Sequence, residues 1–384
     1  MIKKHLKIGF FTDTYLPQVN GVVTSIESFR QELEKQGHEV YVFCPRADQE
    51  EETKRVIRFP SIKFAFQPEY HVSLPFTRHL LRDFWEKDLD IVHAHTPFSL
   101  GLLGYYYAYI KKVPFVYTYH TLYPEYVKSY VWKGRLITPK MVAKITAIFS
   151  NRCDLNIAPS EKIKKLLKGY GVRRPIKVLP TGIRVENFNK KVRPNNFRSR
   201  YKIEPDEDVL LYVGRLGQEK NIEFLLKAFF ILKQNRQKIK LLIAGDGPAK
   251  KSLKNLVKNH GLKKDIIFTG YLSTQEIIKA NQSADLFVFA SKTDTQGLVI
   301  LEAAASGLPI VAVKDDAFSK ILKDKINGFV VKQNVTEFNQ KVLKILDNKK
   351  LYQRMSKKSV EIARNFSIGK QTEQLSRDYK SLLK

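Results

Sequence analysis

The stretch SKTDTQGLVILEAAASGLP, residues 291–309, holds two carboxylates, Asp294 and Glu302, eight positions apart, with Thr295, Gln296, Gly297 and Leu298 between them. Two acids at this spacing could form an acid/base pair, hold a metal, clamp a sugar, or only cap a helix. Their position chooses among these. The stretch follows the apolar run LFVFAS (286–291) and leads into an alanine-rich helical segment. Thr295, Gln296 and Gly297 then fall at a helix N-terminus, whose free N–H groups suit an anion, and Glu302 falls within the early turns. A carboxylate accepts two hydrogen bonds side by side, which matches the vicinal hydroxyls of a ribose. The spacing therefore reads as nucleotide-sugar recognition: Asp294 for the sugar, main chain for phosphate, Glu302 for ribose.

Other polar residues also follow apolar runs. VGRLGQEKN brings Arg215 and Lys220 together after a strand, a pairing suited to a diphosphate, against the alternative of an exposed charged turn. In AGDGP (244–248) the acid is either part of a site or a helix cap. TDTYLPQVNGVVTSIESF sets Gly21 before a helix, where main chain can approach a phosphate or simply turn; one glycine is not G-x-G-x-x-G, which argues against NAD. His120, in YTYHTLYPEY, ends another strand and could hydrogen-bond a substrate or be a satisfied structural histidine. His93 and His95 in VHAH share one strand face and imitate a metal pair, but no third ligand accompanies them, so no metal is expected.

These residues need a scaffold whose strand ends converge. Short apolar runs alternate with helical patterns along the whole chain, as in parallel sheets covered by helices. Strands are predicted at 7–13, 39–45, 91–95, 115–120 and 155–160, and the first unit ends near IKVLPTGI (176–183). After a charged, Pro- and Asn-containing stretch the pattern restarts at 209–216, 239–248, 266–272, 286–291 and 309–313. The expectation is an α/β protein of two doubly wound, Rossmann-like parallel-sheet domains facing across a cleft, with ligand at the carboxyl ends of the strands. Gly37 is the expected stop of the helix TSIESFRQELEKQGH.

Composition bounds the function. The 384 residues fit two domains, and the net charge of +29 draws the chain toward polyanions: nucleic acid, an anionic membrane or nucleotide phosphates. Cys44 and Cys153 lie in strand-like segments without zinc or disulfide spacing and read as core residues of a reduced compartment. GLLGYYYAYI (101–110), the longest apolar stretch, falls short of the ~20 residues that cross a bilayer, and the N-terminal run is cut by Asp13. A cytoplasmic protein, soluble or peripheral, is expected.

Taken in order, NGVVTS, HTLYPEY, PTGI, GRLGQEKN, AGDGP and the acid-x7-Glu stretch resemble the retaining glycosyltransferases of family 4, which have the GT-B fold, over essentially the whole chain. The resemblance implies residues 1–184 as an acceptor and membrane domain, 185–365 as a UDP-sugar domain, and 366–384 as a helix crossing back to the first. It implies His120, Arg215, Lys220 and Asp294 as catalytic residues, with His120 near the reacting bond. Gly21, Arg215, Lys220, Asp294, Thr295, Gln296, Gly297, Leu298 and Glu302 would bind the donor. No metal and no cofactor are implied beyond the UDP-sugar substrate, and the only Asp-x-Asp, DLD at 88–90, precedes a strand. No dedicated nucleophile is required, because the leaving phosphate assists deprotonation of the acceptor.

Within the family the region 119–163 looks closest to bacterial diacylglycerol glycosyltransferases. That implies transfer of glucose or galactose from a UDP-hexose to diacylglycerol at the cytoplasmic face of the membrane. Aromatics and cations interleave in residues 61–88 and 126–145, which can lie on an anionic bilayer or pack on their own domain. Nucleic acid is not an expected partner. The competing readings are a phosphatidylinositol-type or soluble-glycan acceptor, a UDP-sugar epimerase, and a non-catalytic basic protein binding membrane or nucleic acid. Two positions depart from the family: Asp294, where Glu is usual, and Arg184, where Asp follows the Thr-Gly-Ile linker.

Overall fold

A computed structural model describes residues 3–18, 20–46, 54–64, 67–73, 84–125, 138–188 and 195–384. The chain divides into two compact units, Met1–Gly182 with Ile368–Lys384, and Ile183–Ser367.

The first unit contains β1 (Lys7–Phe11), α1 (Gly21–Lys35), β2 (Glu39–Pro45), β3 (Val56–Phe59), β4 (Ser61–Phe64), β5 (Gln67–Ser73), β6 (Ile91–Ala94), α2 (Ser99–Lys111), β7 (Phe115–Thr118), α3 (Pro139–Ser150), β8 (Leu155–Ala158), α4 (Glu161–Gly169) and β9 (Ile176–Val178). Seven strands make a parallel sheet in the order β3-β2-β1-β6-β7-β8-β9. The central strands β6, β7 and β8 are buried at every residue, as a sheet covered on both faces requires. In α1, Ile26, Phe29 and Leu33 recur at helical spacing and are buried in the core, and Gly37 follows the end of the helix with φ +87°.

The second unit contains β10 (Asp208–Val213), α5 (Ile222–Asn235), β11 (Ile239–Ala244), α6 (Lys250–Asn259), β12 (Ile266–Gly270), α7 (Thr274–Ser283), β13 (Leu286–Phe289), α8 (Leu298–Ala305), β14 (Ile310–Val313), β15 (Gly328–Val331), α9 (Val335–Leu346) and α10 (Lys349–Ala363). Its sheet is parallel in the order β12-β11-β10-β13-β14-β15. Both sheets are wound outward in two directions from their first strand. Each therefore has one switch point, between β1 and β6 and between β10 and β13, where ligands of such sheets bind.

The last helix, α11 (Ile368–Leu382), packs on the first unit. Tyr379 is fully buried there, its hydroxyl 2.5 Å from His93 Nδ1, and Asp378 pairs with Lys177 at 2.5 Å. Where the chain enters and leaves the second unit, Ile183 N–H donates to the Phe366 carbonyl at 3.0 Å.

The sequence predicts neither β3 nor β15, and two further features differ from the sequence expectations. Residues 61–64 and 67–73, in the first of the two aromatic, basic segments, form the antiparallel hairpin β4–β5; residues 65, 66, 74–83 and 126–137 of those segments lie outside the described residues. Ile62 and Val72 are opposite in the backbone register, and β-branched residue types favour strand over helix. Cys44 is in β2, but Cys153 lies in the turn before β8; both are buried, and neither forms a disulfide among the described residues. The DLD acids have a structural use, since Asp90 accepts from Lys7 N–H at 2.8 Å and from Lys3 Nζ at 2.7 Å.

Backbone proximity constrains the strand-end loops of the second unit. A Cβ on Gly245, whose φ is +142°, would lie 2.0 Å from the Gly214 carbonyl oxygen. Gly245→Ala is expected to destabilise the protein by about 2 kcal/mol or more, read as a lowered unfolding temperature by calorimetry.

Candidate functional site

In the second unit the loop after β10 carries Arg215 and Lys220, and the loop after β13 carries Asp294 through Gly297, so both border the switch point. Side chains stitch the loops together. Asn221 adopts φ +54°, a conformation asparagine tolerates, and its Nδ2 donates to the Ala290 carbonyl at 3.3 Å. Thr293 Oγ1 donates to the Glu219 carbonyl at 3.4 Å, and the buried Tyr212 hydroxyl donates to the Arg215 carbonyl at 3.3 Å. Lys220 Nζ lies 3.0 Å from Asp294 Oδ1, so a cation and an acid 74 residues apart in sequence form one partly buried pair. The pair delivers Lys220 to the loop of Asp294. Asp246, by contrast, pairs with Lys250 on the following helix, and that partner holds its carboxyl below the usual range.

Gly297 is the N-cap of α8 with φ +78°, where a side chain would be strained and would press on Phe318. The N–H groups of Leu298 and Val299 have no acceptor among the described residues, so this helix end offers donors. Glu302 lies one turn further on. It is half-buried, has no hydrogen-bond or ion-pair partner among the described residues, and its carboxyl is pushed up to about 7 by desolvation alone. A desolvated, unpaired carboxylate is a cost to the fold unless a ligand supplies donors.

In the first unit, Gly21 opens α1 and His120 follows β7. Asn20 Oδ1 accepts from the N–H groups of Val22 and Val23, both at 3.0 Å, so two of the helix donors expected to meet a phosphate are already used. That leaves the N–H of the exposed Gly21 without an acceptor among the described residues. Asp13, at the end of β1, accepts from Thr96 Oγ1 and Ser99 Oγ, both at 2.5 Å, and from Leu100 N–H at 3.2 Å. It thereby ties the β1 loop to the start of α2, with burial pushing its carboxyl up and those hydroxyls opposing.

His120 is half-buried and burial pushes its imidazole down to about 3. Its Nε2 lies 3.0 Å from His95 Nδ1. His93 spends both ring nitrogens internally, on Tyr379 at 2.5 Å and Thr118 Oγ1 at 2.7 Å, which removes the metal-pair reading of VHAH. Sequence reading overlooked His95 and Asn221 as parts of the site framework. The i,i+2 alternation of VHAH and the asparagine after GRLGQEK were the available signals.

Because the Glu302 carboxyl rises from 4.5 to about 7 on folding, its contribution to stability declines as pH increases between those values. Glu302→Gln is therefore expected to match the parent protein in thermal stability at pH 5 and to exceed it at pH 8, by no more than about 3 kcal/mol. Melting curves across that range check both the sign and the window.

The description "Glycosyltransferase Family 4" matches residues 19–187, and "Glycosyl transferases group 1" matches residues 194–361. The chain is 39% identical over 330 residues to the alpha-monoglucosyldiacylglycerol synthase of Streptococcus pneumoniae, covering 84% of this chain and 74% of that protein. It is 33% identical over 367 residues to the protein of the same name from Acholeplasma laidlawii, covering 92% and 91%. The crystal structure of Anabaena Alr3699/HepE in complex with UDP and glucose superposes with a TM-score of 0.79 at 20% identity, covering 98% of this chain and all of that one. With two parallel Rossmann-like sheets and polar residues gathered at their switch points, the chain belongs to the GT-B glycosyltransferases of family 4.

Proposed function

We propose that the protein transfers glucose from UDP-glucose to diacylglycerol, with retention and without a metal, at the cytoplasmic face of a membrane. The observation that carries the donor half is Glu302, an unpartnered, desolvated carboxylate one turn into a helix whose first N–H groups are also unpartnered. Ribose hydroxyls supply the two donors that this carboxylate lacks, and the diphosphate takes the helix N–H groups with Arg215 and Lys220. Asp294, held by Lys220, is assigned to the hexose hydroxyls, with main chain of Thr295, Gln296, Gly297 and Leu298 beside it. Lys220 and Arg215 then stabilise charge on the departing UDP. The same reading assigns Gly21 N–H to a donor phosphate and His120 to the hexose.

The name shared by the relatives from S. pneumoniae and A. laidlawii supports the acceptor and favours glucose over galactose. The same name specifies an alpha-glucoside; UDP-glucose is itself an alpha-glycoside, so an alpha product means retention. The surface adds to the lipid reading. Helix α2 exposes Tyr106, Tyr109 and Ile110 with Lys111 at its end and Lys112 just beyond, and α3 exposes Met141, Ile145 and Ile148 with Lys140 and Lys144. Apolar side chains rimmed by lysines suit an anionic bilayer. No helix among the described residues is long and apolar enough to cross a membrane.

Radiolabelled UDP-glucose and UDP-galactose, each offered with diacylglycerol micelles, test the reaction. A lipid-soluble glucosyl product is expected, and no lipid-soluble product from either donor would sink the lipid assignment. Glu302→Ala is expected to raise the donor KM about 10- to 100-fold through loss of charge-assisted hydrogen bonds. Asp294→Glu tests donor choice, because an unchanged glucose-to-galactose ratio shows that the shorter acid is not the selector. Met141→Asp with Ile145→Asp is expected to release the protein from phosphatidylglycerol vesicles while leaving its melting temperature unchanged.

A further inference from the structure

The histidines of the first unit make a proton count possible. His95 is fully buried, its ring 4.2 Å from that of His93, 5.2 Å from that of His120, and edge-on to Phe10 at 4.7 Å. His95 Nδ1 lies 3.0 Å from His120 Nε2, while His95 Nε2 is buried with no partner. Burial pushes both imidazoles down, so both are neutral and each carries one N–H. A contact between two ring nitrogens needs one of them protonated and the other bare, which allows two arrangements.

If His120 Nε2 held the proton, His95 Nδ1 would be the acceptor and the His95 proton would sit on Nε2. That places an N–H group in the core with nothing to accept it. If His95 Nδ1 holds the proton, the buried His95 Nε2 is only a bare lone pair, and the His120 proton moves to Nδ1. An orphaned buried N–H is the rarer defect in folded proteins, so the second arrangement is favoured. His120 Nδ1 has no partner among the described residues and belongs to the half-buried ring at the end of β7.

We propose that His95 is a positioning residue: by donating Nδ1–H to His120 Nε2, it fixes His120 as a donor of Nδ1–H toward a substrate oxygen. His120 in this state cannot take a proton from the acceptor hydroxyl through Nδ1. The catalytic consequence rests on the reading that His120 meets substrate; the tautomer itself does not.

The test uses the whole enzyme, isotopically labelled at histidine. Nitrogen NMR of the free protein is expected to give His120 a protonated Nδ1 and a bare Nε2; the opposite pattern overturns the proposal. His95→Phe keeps a flat ring but no donor, and is expected to lower kcat about 10- to 100-fold with little change in donor KM and to mix the His120 tautomers. His95→Asn, whose amide can donate from a similar position, is expected to restore at least tenfold of that loss. A His95→Phe enzyme with full kcat and an unchanged His120 spectrum refutes the positioning role. If that variant does not fold, the parent spectrum and the Asn variant decide. Full activity of His120→Ala would instead defeat the substrate-facing reading, while leaving the tautomer measurement standing.

Discussion

In a parallel sheet wound both ways from its first strand, the loops leaving the strands at the reversal run to opposite faces, and the sheet has nothing with which to fill the space between them. This gap exists once in each unit, beside β1 and beside β10. Residues of the strand-end loops can present polar groups there without burying them in a packed layer. Gly21, Arg215, Lys220 and Asp294 all follow the strands that border a gap, while Glu302 lies in the helix after β13 and His120 follows β7, the strand next to β6.

The loops are held in place by polar side chains that use other loops as partners. Asp13 ties its loop to the first turn of α2, Asn221 reaches the end of β13, and Lys220 pairs with Asp294. Each contact joins residues distant in sequence, so it forms only when both strands are in register. Against this satisfied background two groups stand out, Glu302 and the outer nitrogen of His120. Both are half-buried polar groups without partners among the described residues, and both lie in elements that follow a strand end, which makes them candidates for ligand contact.

The histidine cluster joins the C-terminal helix to the same framework. Tyr379 of α11 holds His93, whose ring stacks on His95, which in turn meets His120. The helix that completes the core of the first unit thus contacts the histidines behind the end of β7. Tyr379, His93 and His95 in this row are buried, and His120 at its end is half-buried.

Much of this was legible in the chain itself. Alternation of short apolar runs with helical spacing determined the central strands of both parallel sheets, because strands buried on two faces are mostly apolar, while β3 and β15 were not legible from it. The spacing of Asp294, Gly297 and Glu302 determined a helix start between two acids, because a left-handed glycine cap and the helical repeat are local properties. The hairpin at 61–73 was not legible, since alternating aromatics and cations fit a surface helix as well as a strand until a partner strand is present. Tertiary structure alone decided that Lys220 meets Asp294, that Asn20 consumes donors at the first helix, and that His95 meets His120 Nε2. Those outcomes are pairings across loops and strands, and the free energy of a polar contact depends on which group the packed chain brings within about 3 Å.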